Sequence, residues 1–188
     1  LVSVTLPKEM TVIPDGTFRH TSKLKTINLP DSLKEIGYNA FNESGLETID
    51  LPLKLQTIGS YAFAYTQLSE FRVPKNVTSV GEWVAAYCPN LKAAYLGRKQ
   101  DYTSNSSFDY FYGCDSLQLL RVYAGTPPGI SSSEWSYWDS STNTYKYRGY
   151  TTYRTNCVLE VPDGQVEVYQ ATDIWKDFKE IRAFESEE

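Results

Sequence analysis

Leu24-Lys25-Thr26-Ile27-Asn28-Leu29-Pro30 and Leu46-Glu47-Thr48-Ile49-Asp50-Leu51-Pro52 are one phrase written twice, 22 residues apart. Outward from them, Leu1-x-x-Val4-x-Leu6-Pro7 precedes and Leu68-x-x-Phe71-x-Val73-Pro74 follows, so the prolines step by 23, 22 and 22. A fixed period in this range marks a solenoid of stacked coils. Apolar and polar residues alternate within each phrase, the period of a strand buried on one face. Proline has no N–H to give, so it belongs where the ladder stops.

A second half follows each proline. Ile13, Ile36, Ile58 and Val80 stand six places on, and Pro14, Gly37, Gly59 and Gly81 one further. Phe18, Phe41, Phe63 and Ala85 come at the eleventh place. Glycine is expected at a corner that needs unusual backbone angles. The Tyr-Ala-Phe type segments read as short helical or irregular turns on the outer side. One coil buries too little apolar surface to offset ordering its backbone, so stacked neighbours must share the burial.

Two later units keep the phrase in altered form: Leu91-x-x-Ala94-x-Leu96, then Leu117-x-x-Leu120-x-Val122, 26 residues apart. Leu159-x-Val161-Pro162 restores it after a longer gap. Repeats thus start near 1, 24, 46, 68, 91 and 117 within a single domain of 1–188, with an aromatic insert at about 130–155 and a last strand and cap at 156–184. Asp163-Gly164 opens a predicted helical cap, with Val166 and Tyr169 on one face and Trp175, Phe178 and Ile181 at spacing three. Leu1 already stands in repeat phase, which predicts that earlier repeats or another domain precede it and cover Val2, Val4 and Leu6.

The bulk numbers narrow the function. An apolar share of 41% excludes disorder, and no apolar run is long enough to span a bilayer. A net charge of -5 argues against a nucleic-acid partner, which would want a basic face. Cys88, Cys114 and Cys157 are too few and too unevenly spaced for a disulfide framework or a zinc site.

The pattern resembles the BspA-like leucine-rich repeats of bacterial surface proteins. The likeness rests on Leu-x-x-Ile-x-Leu-Pro, on Ile-Gly-x-x-Ala-Phe at 36–41 and 58–63, and on Cys-x-x-Leu at 88–91 and 114–117. Thr126-Pro127-Pro128 and the ending from Val161-Pro162 to Ile181 match as well. The resemblance implies a curved α/β solenoid, with parallel strands on the concave face, short helical or irregular turns on the convex face and a C-terminal helical cap. It also implies export, display at the cell surface and a role in binding or adhesion. A parallel β-helix is the alternative fold, disfavoured by the Ala-Phe turn and the capping helix.

Alternation assigns two outward rows on the strand side. One is Thr26, Thr48, Glu70, Ala93 and Leu119; the other is Asn28, Asp50, Arg72, Tyr95 and Arg121. Strands about 4.8 Å apart would set Asp50 beside Arg72. The second candidate is the insert, where Trp135, Tyr137, Trp138, Tyr145 and Tyr147 flank Asp139-Ser-Ser-Thr-Asn143 in the pattern of a β-hairpin. Stiff aromatic rings with polar tips suit a protein partner or a sugar, and equally suit packing onto the solenoid. A third group, Tyr102, Phe108, Tyr110, Phe111 and Tyr112, is expected to supply the buried Phe of its coil through Phe111 or Phe108.

Catalytic signals are poor. His20 is the only histidine and is expected in a turn without a partner, while Cys88 and Cys114 fall at the small buried place that Thr21 and Thr66 hold in earlier coils. No cofactor, metal or catalytic residue is assigned. The expected function is a non-enzymatic extracellular module that recognises a host or bacterial surface protein, or another macromolecule, through the solenoid surface. The alternatives are a carbohydrate-binding surface with Trp135 and Trp138 as platforms, or a structural display stalk.

Overall fold

A computed structural model describes residues 1–97, 110–125, 127, 154–172 and 175–184, and the backbone alone of 136–139 and 144–147. The coils wind as expected into a parallel-strand solenoid of about six turns. Their short strands fall into two parallel sheets. β1 (Val12–Ile13), β2 (Glu35–Ile36), β3 (Thr57–Ile58) and β5 (Ser79–Val80) form a four-stranded ladder in the order β1-β2-β3-β5. β4 (Glu70–Val73), β6 (Ala93–Leu96), β7 (Leu119–Val122), β10 (Val158–Pro162) and β11 (Glu180–Phe184) form the other, in the order β11-β10-β7-β6-β4. β8 (Ser136–Asp139) and β9 (Thr144–Tyr147) make the expected antiparallel hairpin.

Register follows the repeat. Ile13 pairs with Ile36, Ile36 with Ile58 and Ile58 with Val80, so one column of β-branched residues lies under the first sheet. Leu24, Leu46, Leu68, Leu91 and Leu117 form a second column, each fully buried. Phe18, Phe41 and Phe63 form a third, with rings stacked 5.1 and 5.2 Å apart. All of them belong to one contiguous core cluster. Where Ala85 succeeds the three phenylalanines, the ring of Phe71 enters from β4 at 5.3 Å from Phe63 and meets buried Phe111 at 6.4 Å.

Three expectations need correction. The leading phrases of the first three coils form no strand; their backbone contacts are confined to bonds such as Glu47 N to Lys25 O at 3.0 Å and Ser69 N to Glu47 O at 3.4 Å. The corner glycines do not carry unusual angles. They are needed because coils touch there: a Cβ on Gly59 would lie 2.6 Å from Tyr38 N, and one on Gly81 2.2 Å from Ser60 N.

The left-handed angles fall two and six residues later instead. Gly16, Asn39, Tyr61 and Trp83 make one column with φ of 55–63°, and His20, Glu43, Tyr65, Tyr87 and Gly113 make another with φ of 54–70°. Such angles cost a side-chain-bearing residue about 1–2 kcal/mol each. They turn the N–H along the solenoid axis to the next coil: Asn39 N reaches Ser60 O at 3.1 Å, Tyr61 N Glu82 O at 3.0 Å, and Tyr65 N Ala86 O at 2.9 Å. Turn-side cohesion is therefore hydrogen-bonded even where no strand forms.

The third correction concerns the C-terminus. The expected helical cap shrinks to one short helix, α1 (Val166–Ala171), a 3₁₀ turn at Trp175–Asp177 and the strand β11. Tyr169 is fully buried, donates its hydroxyl to Ala124 O at 3.1 Å and meets Trp175 edge-on at 5.2 Å. Trp175 stacks on Phe178 at 6.0 Å. These rings close the core as a cap should, but Ile181 pairs with Leu159 as a sheet residue. Among the described residues no helix is long and apolar enough to cross a membrane.

Candidate functional site

Strands of the second sheet send every other side chain outward, and their register aligns those side chains across the sheet. Arg72 pairs with Tyr95, Tyr95 with Arg121, Arg121 with Glu160 and Glu160 with Arg182. Three of the sequence-selected residues thus stand together, and the structure extends their row by two. The adjacent row runs Glu70, Ala93, Leu119, Val158 and Glu180, apolar in the middle and acidic at both ends.

The row is held by charge and aromatic faces. The Arg72 guanidinium lies 3.6 Å from the centroid of the Tyr95 ring and pairs with Glu70 on its own strand. Arg121 lies 4.7 Å from the Phe184 centroid and 5.6 Å from that of Tyr95. Its Nε donates to Glu160 Oε2 at 2.7 Å, while Arg182 donates to Glu160 Oε1 through Nη2 at 2.8 Å and Nε at 3.1 Å. Burial alone would raise the Glu160 carboxyl, but the hydrogen bonds from Arg182 and Arg121 outweigh it and hold the group below the usual range. A carboxylate gripped from both sides has little freedom, so the middle of the face is preorganised.

Asp50 is not beside Arg72 in an ion pair. Residues 48–51 do not join β4, and Arg72 finds Glu70 and Tyr95 nearer. Asp50 and Arg72 instead both line one cleft of about 360 Å³, with Ile49, Leu51 and Val73 among its walls. In the hairpin, Trp138 is registered against Tyr145, Tyr137 against Lys146, and Ser136 against Tyr147. Trp135, Tyr102 and Phe108 lie outside the described residues. Phe111 supplies the buried ring of its coil, as expected.

Glu160 and Arg182 were legible in principle. Glu160 is the x of Leu159-x-Val161-Pro162, the place held by Arg72, Tyr95 and Arg121 in earlier phrases, and Arg182 sits in the alternation Glu180-Ile181-Arg182-Ala183. The spacing of three from Trp175 to Ile181 suggested a helix and hid that second signal.

The remaining titratable groups explain themselves as packing. His20 has a partner after all: its Nδ1 is 3.0 Å from Glu43 Oε2, both side chains about half exposed. Cys88 accepts company from Thr66 Oγ1 at 3.2 Å and donates its backbone N–H to Cys114 Sγ at 3.4 Å. The shared hydrogen bond with Cys88, then burial, pushes the Cys114 thiol far up, and burial pushes Cys157 up to about 12. The hydrogen bond from Cys114 draws Cys88 the other way, but all three thiols are enclosed in the core, where they serve as packing residues. Among the described residues no group of three or more His, Cys, Asp or Glu could hold a metal ion.

Parallel strands stacked coil on coil, with an ordered aromatic and charged row across the five-stranded sheet, define the chain as a repeat solenoid. The model of the BspA type leucine rich repeat region matches residues 1–118 in 6 copies. The chain belongs to that family. It is similar to the crystal structure of the pneumococcal vaccine antigen PcpA, with 26% identity and a TM-score of 0.70 over 98% of this chain. The chain spans 42% of PcpA's length. It also shares its fold with the T. pallidum leucine rich repeat protein TpLRR, at 19% identity and a TM-score of 0.59, covering 93% of this chain and 80% of that one. No curated protein matches the chain by sequence.

Proposed function

We propose that this chain is the binding part of an exported, surface-displayed protein, and that it grips a protein partner through the outer face of the five-stranded sheet. The observation that carries the reading is the continuous row Arg72, Tyr95, Arg121, Glu160 and Arg182, fixed in register by backbone pairing and by the two-sided hold on Glu160. Such a face offers aromatic and guanidinium groups, the types enriched at the centres of protein interfaces, with their ordering cost already met. The family and the likeness to a vaccine antigen support placement outside the cell. Recognition of this kind needs no catalytic group.

The test is a solid-phase screen of the chain against purified host extracellular-matrix and bacterial surface proteins, repeated with Tyr95→Ser and Arg72→Glu. Each variant should lose at least about tenfold in affinity for the partner found, with an unchanged melting temperature, as removal of an interface anchor does. A stalk predicts no partner in the screen, and a partner indifferent to both substitutions would move the interface elsewhere.

A further inference from the structure

The turn side of the solenoid carries an aromatic surface separate from the sheet face. Its backbone recurs coil after coil, but its side chains do not. Gly16 and Asn39 hold the first left-handed column in the early coils, and Tyr61 and Trp83 hold it in the next two. In the second column His20 and Glu43 give way to Tyr65 and Tyr87. Left-handed backbone suits glycine and asparagine rather than bulky rings, so the repeat itself does not call for these residues.

The rings form one unbroken cluster. Tyr38 meets Tyr61 at 6.0 Å, Tyr61 meets Trp83 at 5.8 Å, and Trp83 meets Tyr112 at 4.6 Å and Tyr87 at 6.1 Å. Tyr87 stacks on Tyr65 at 4.7 Å. None of the six is buried, and Tyr38 and Tyr65, at the two ends, are 51% and 46% exposed. Each end ring has one ring neighbour among the described residues, so each keeps a face open. A contiguous exposed patch of this kind marks an interaction site, and Tyr and Trp are enriched at the centres of protein interfaces.

Charge selects the partner. Segments 38–43, 60–65, 82–87 and 110–113 contain no Lys or Arg, and their charged residues are Glu43 and Glu82. Glu82 is near enough to Tyr61 to help raise its phenol, after burial and Tyr38. Glu43 holds the place before Tyr65 in its column, and His20 engages only its Oε2. At the other end Asp15 Oδ1 accepts the N–H of Tyr38 at 2.7 Å. Each end of the cluster thus sets an open ring beside a carboxylate. On the sheet face the same pairing is already filled, since Arg72 lies over Tyr95 and pairs with Glu70. Among the described residues no Lys or Arg lies over a turn-side ring.

We infer that this patch docks an arginine-bearing segment of a protein partner, with guanidinium groups on Tyr38 and Tyr65 beside Asp15 and Glu43. The aliphatic stems of those arginines lie over Tyr61, Trp83 and Tyr87. A guanidinium is flat, weakly hydrated and permanently charged, so it takes a ring face and a carboxylate together. An acidic segment would meet Glu43 and Glu82 as like charges, and a wholly apolar one would bury them unpaired.

The experiment is calorimetry on the whole chain at about 0.15 M salt, with alternating Arg-Gly, Lys-Gly and Ser-Gly peptides of equal length. The Arg peptide should bind, the Lys peptide at least about threefold more weakly, and the Ser peptide not at all. Tyr38→Ser, Tyr65→Gly and Glu82→Gln should each weaken the Arg peptide about threefold or more, the loss expected of one exposed cation–ring or charge contact. Glycine accepts the left-handed angle at 65, and Tyr38 and Glu82 are exposed, so those two variants should also keep the melting temperature of the parent. The inference is overturned if the Arg peptide does not bind, if the Lys or Ser peptide binds as tightly, or if no substitution weakens binding. Loss of binding on Tyr95→Ser would overturn it as well, by putting the segment on the sheet face.

Discussion

Phe71 stands where Ile27 and Ile49 stand in the preceding coils, and the same coil carries Ala85 where Phe18, Phe41 and Phe63 stand. The Phe18, Phe41 and Phe63 column loses its ring at Ala85, and Phe71 supplies one from the opposite wall. Phe71→Ile should therefore cost about 1–2 kcal/mol in urea denaturation, through a void the close-packed core cannot collapse. Ala85→Phe in the same chain should return at least half of that loss. Simple additivity of the two changes would refute the exchange, since contacting residues are expected to couple. At the corner, Gly81→Ala places a Cβ 2.2 Å from Ser60 N and should cost about 3 kcal/mol, because the obstacle is backbone and cannot swing away. The need for glycine there was plain in the sequence. Its cause was not, since a single residue letter does not distinguish an unusual angle from a close approach. Tyr61, Tyr65 and Tyr87 show the converse: nothing in their identity announces left-handed backbone, which inter-coil hydrogen bonds impose.

At the scale of elements, β10 is the strand on which the C-terminal half turns. It pairs with β7 on one side and β11 on the other, and it carries Glu160 between two arginines. The Glu160 carboxyl titrates below its unfolded value, so the folded state binds fewer protons than the unfolded one across that interval. Its contribution is complete above the unfolded pKa and fades as pH falls through the lower, folded one. Glu160→Gln should flatten the loss of melting temperature between neutral and acidic pH. Cys157, just ahead of β10, has the opposite sign. Its thiol titrates at about 12 in the fold, above the ordinary cysteine value, so stability is full below that ordinary value and declines as pH rises toward 12. Cys157→Ser should remove that part of the alkaline decline, and native Cys157 should resist iodoacetamide at pH 8 until urea opens the chain. The hairpin was readable from alternation around a polar turn. The strand β11 was missed because aromatic spacing of three outweighed a short period-two signal, and sheet pairing rather than helix propensity decided that segment.

For the whole molecule, the period alone was enough to indicate a solenoid, because a repeat that cannot bury its own face has to stack. What the period does not reveal is which wall carries the hydrogen-bonded ladder. The first coils are tied along β1, β2, β3 and β5, the later ones along β4, β6, β7, β10 and β11. Among the described residues only the coil begun by Leu68 has a strand in both sheets. Its loss should be felt on both sides: deleting residues 68–90 should unfold the chain or split its melting curve in two, whereas deleting 46–67 should leave one transition. Calorimetry would tell the outcomes apart.

The in-register column of Ile13, Ile36, Ile58 and Val80 has an evolutionary corollary. Tandem duplication of a segment such as 46–67 adds a storey without disturbing the floors above or below it. A gene built this way can lengthen its protein in increments of one storey, each new one arriving with its joints already cut.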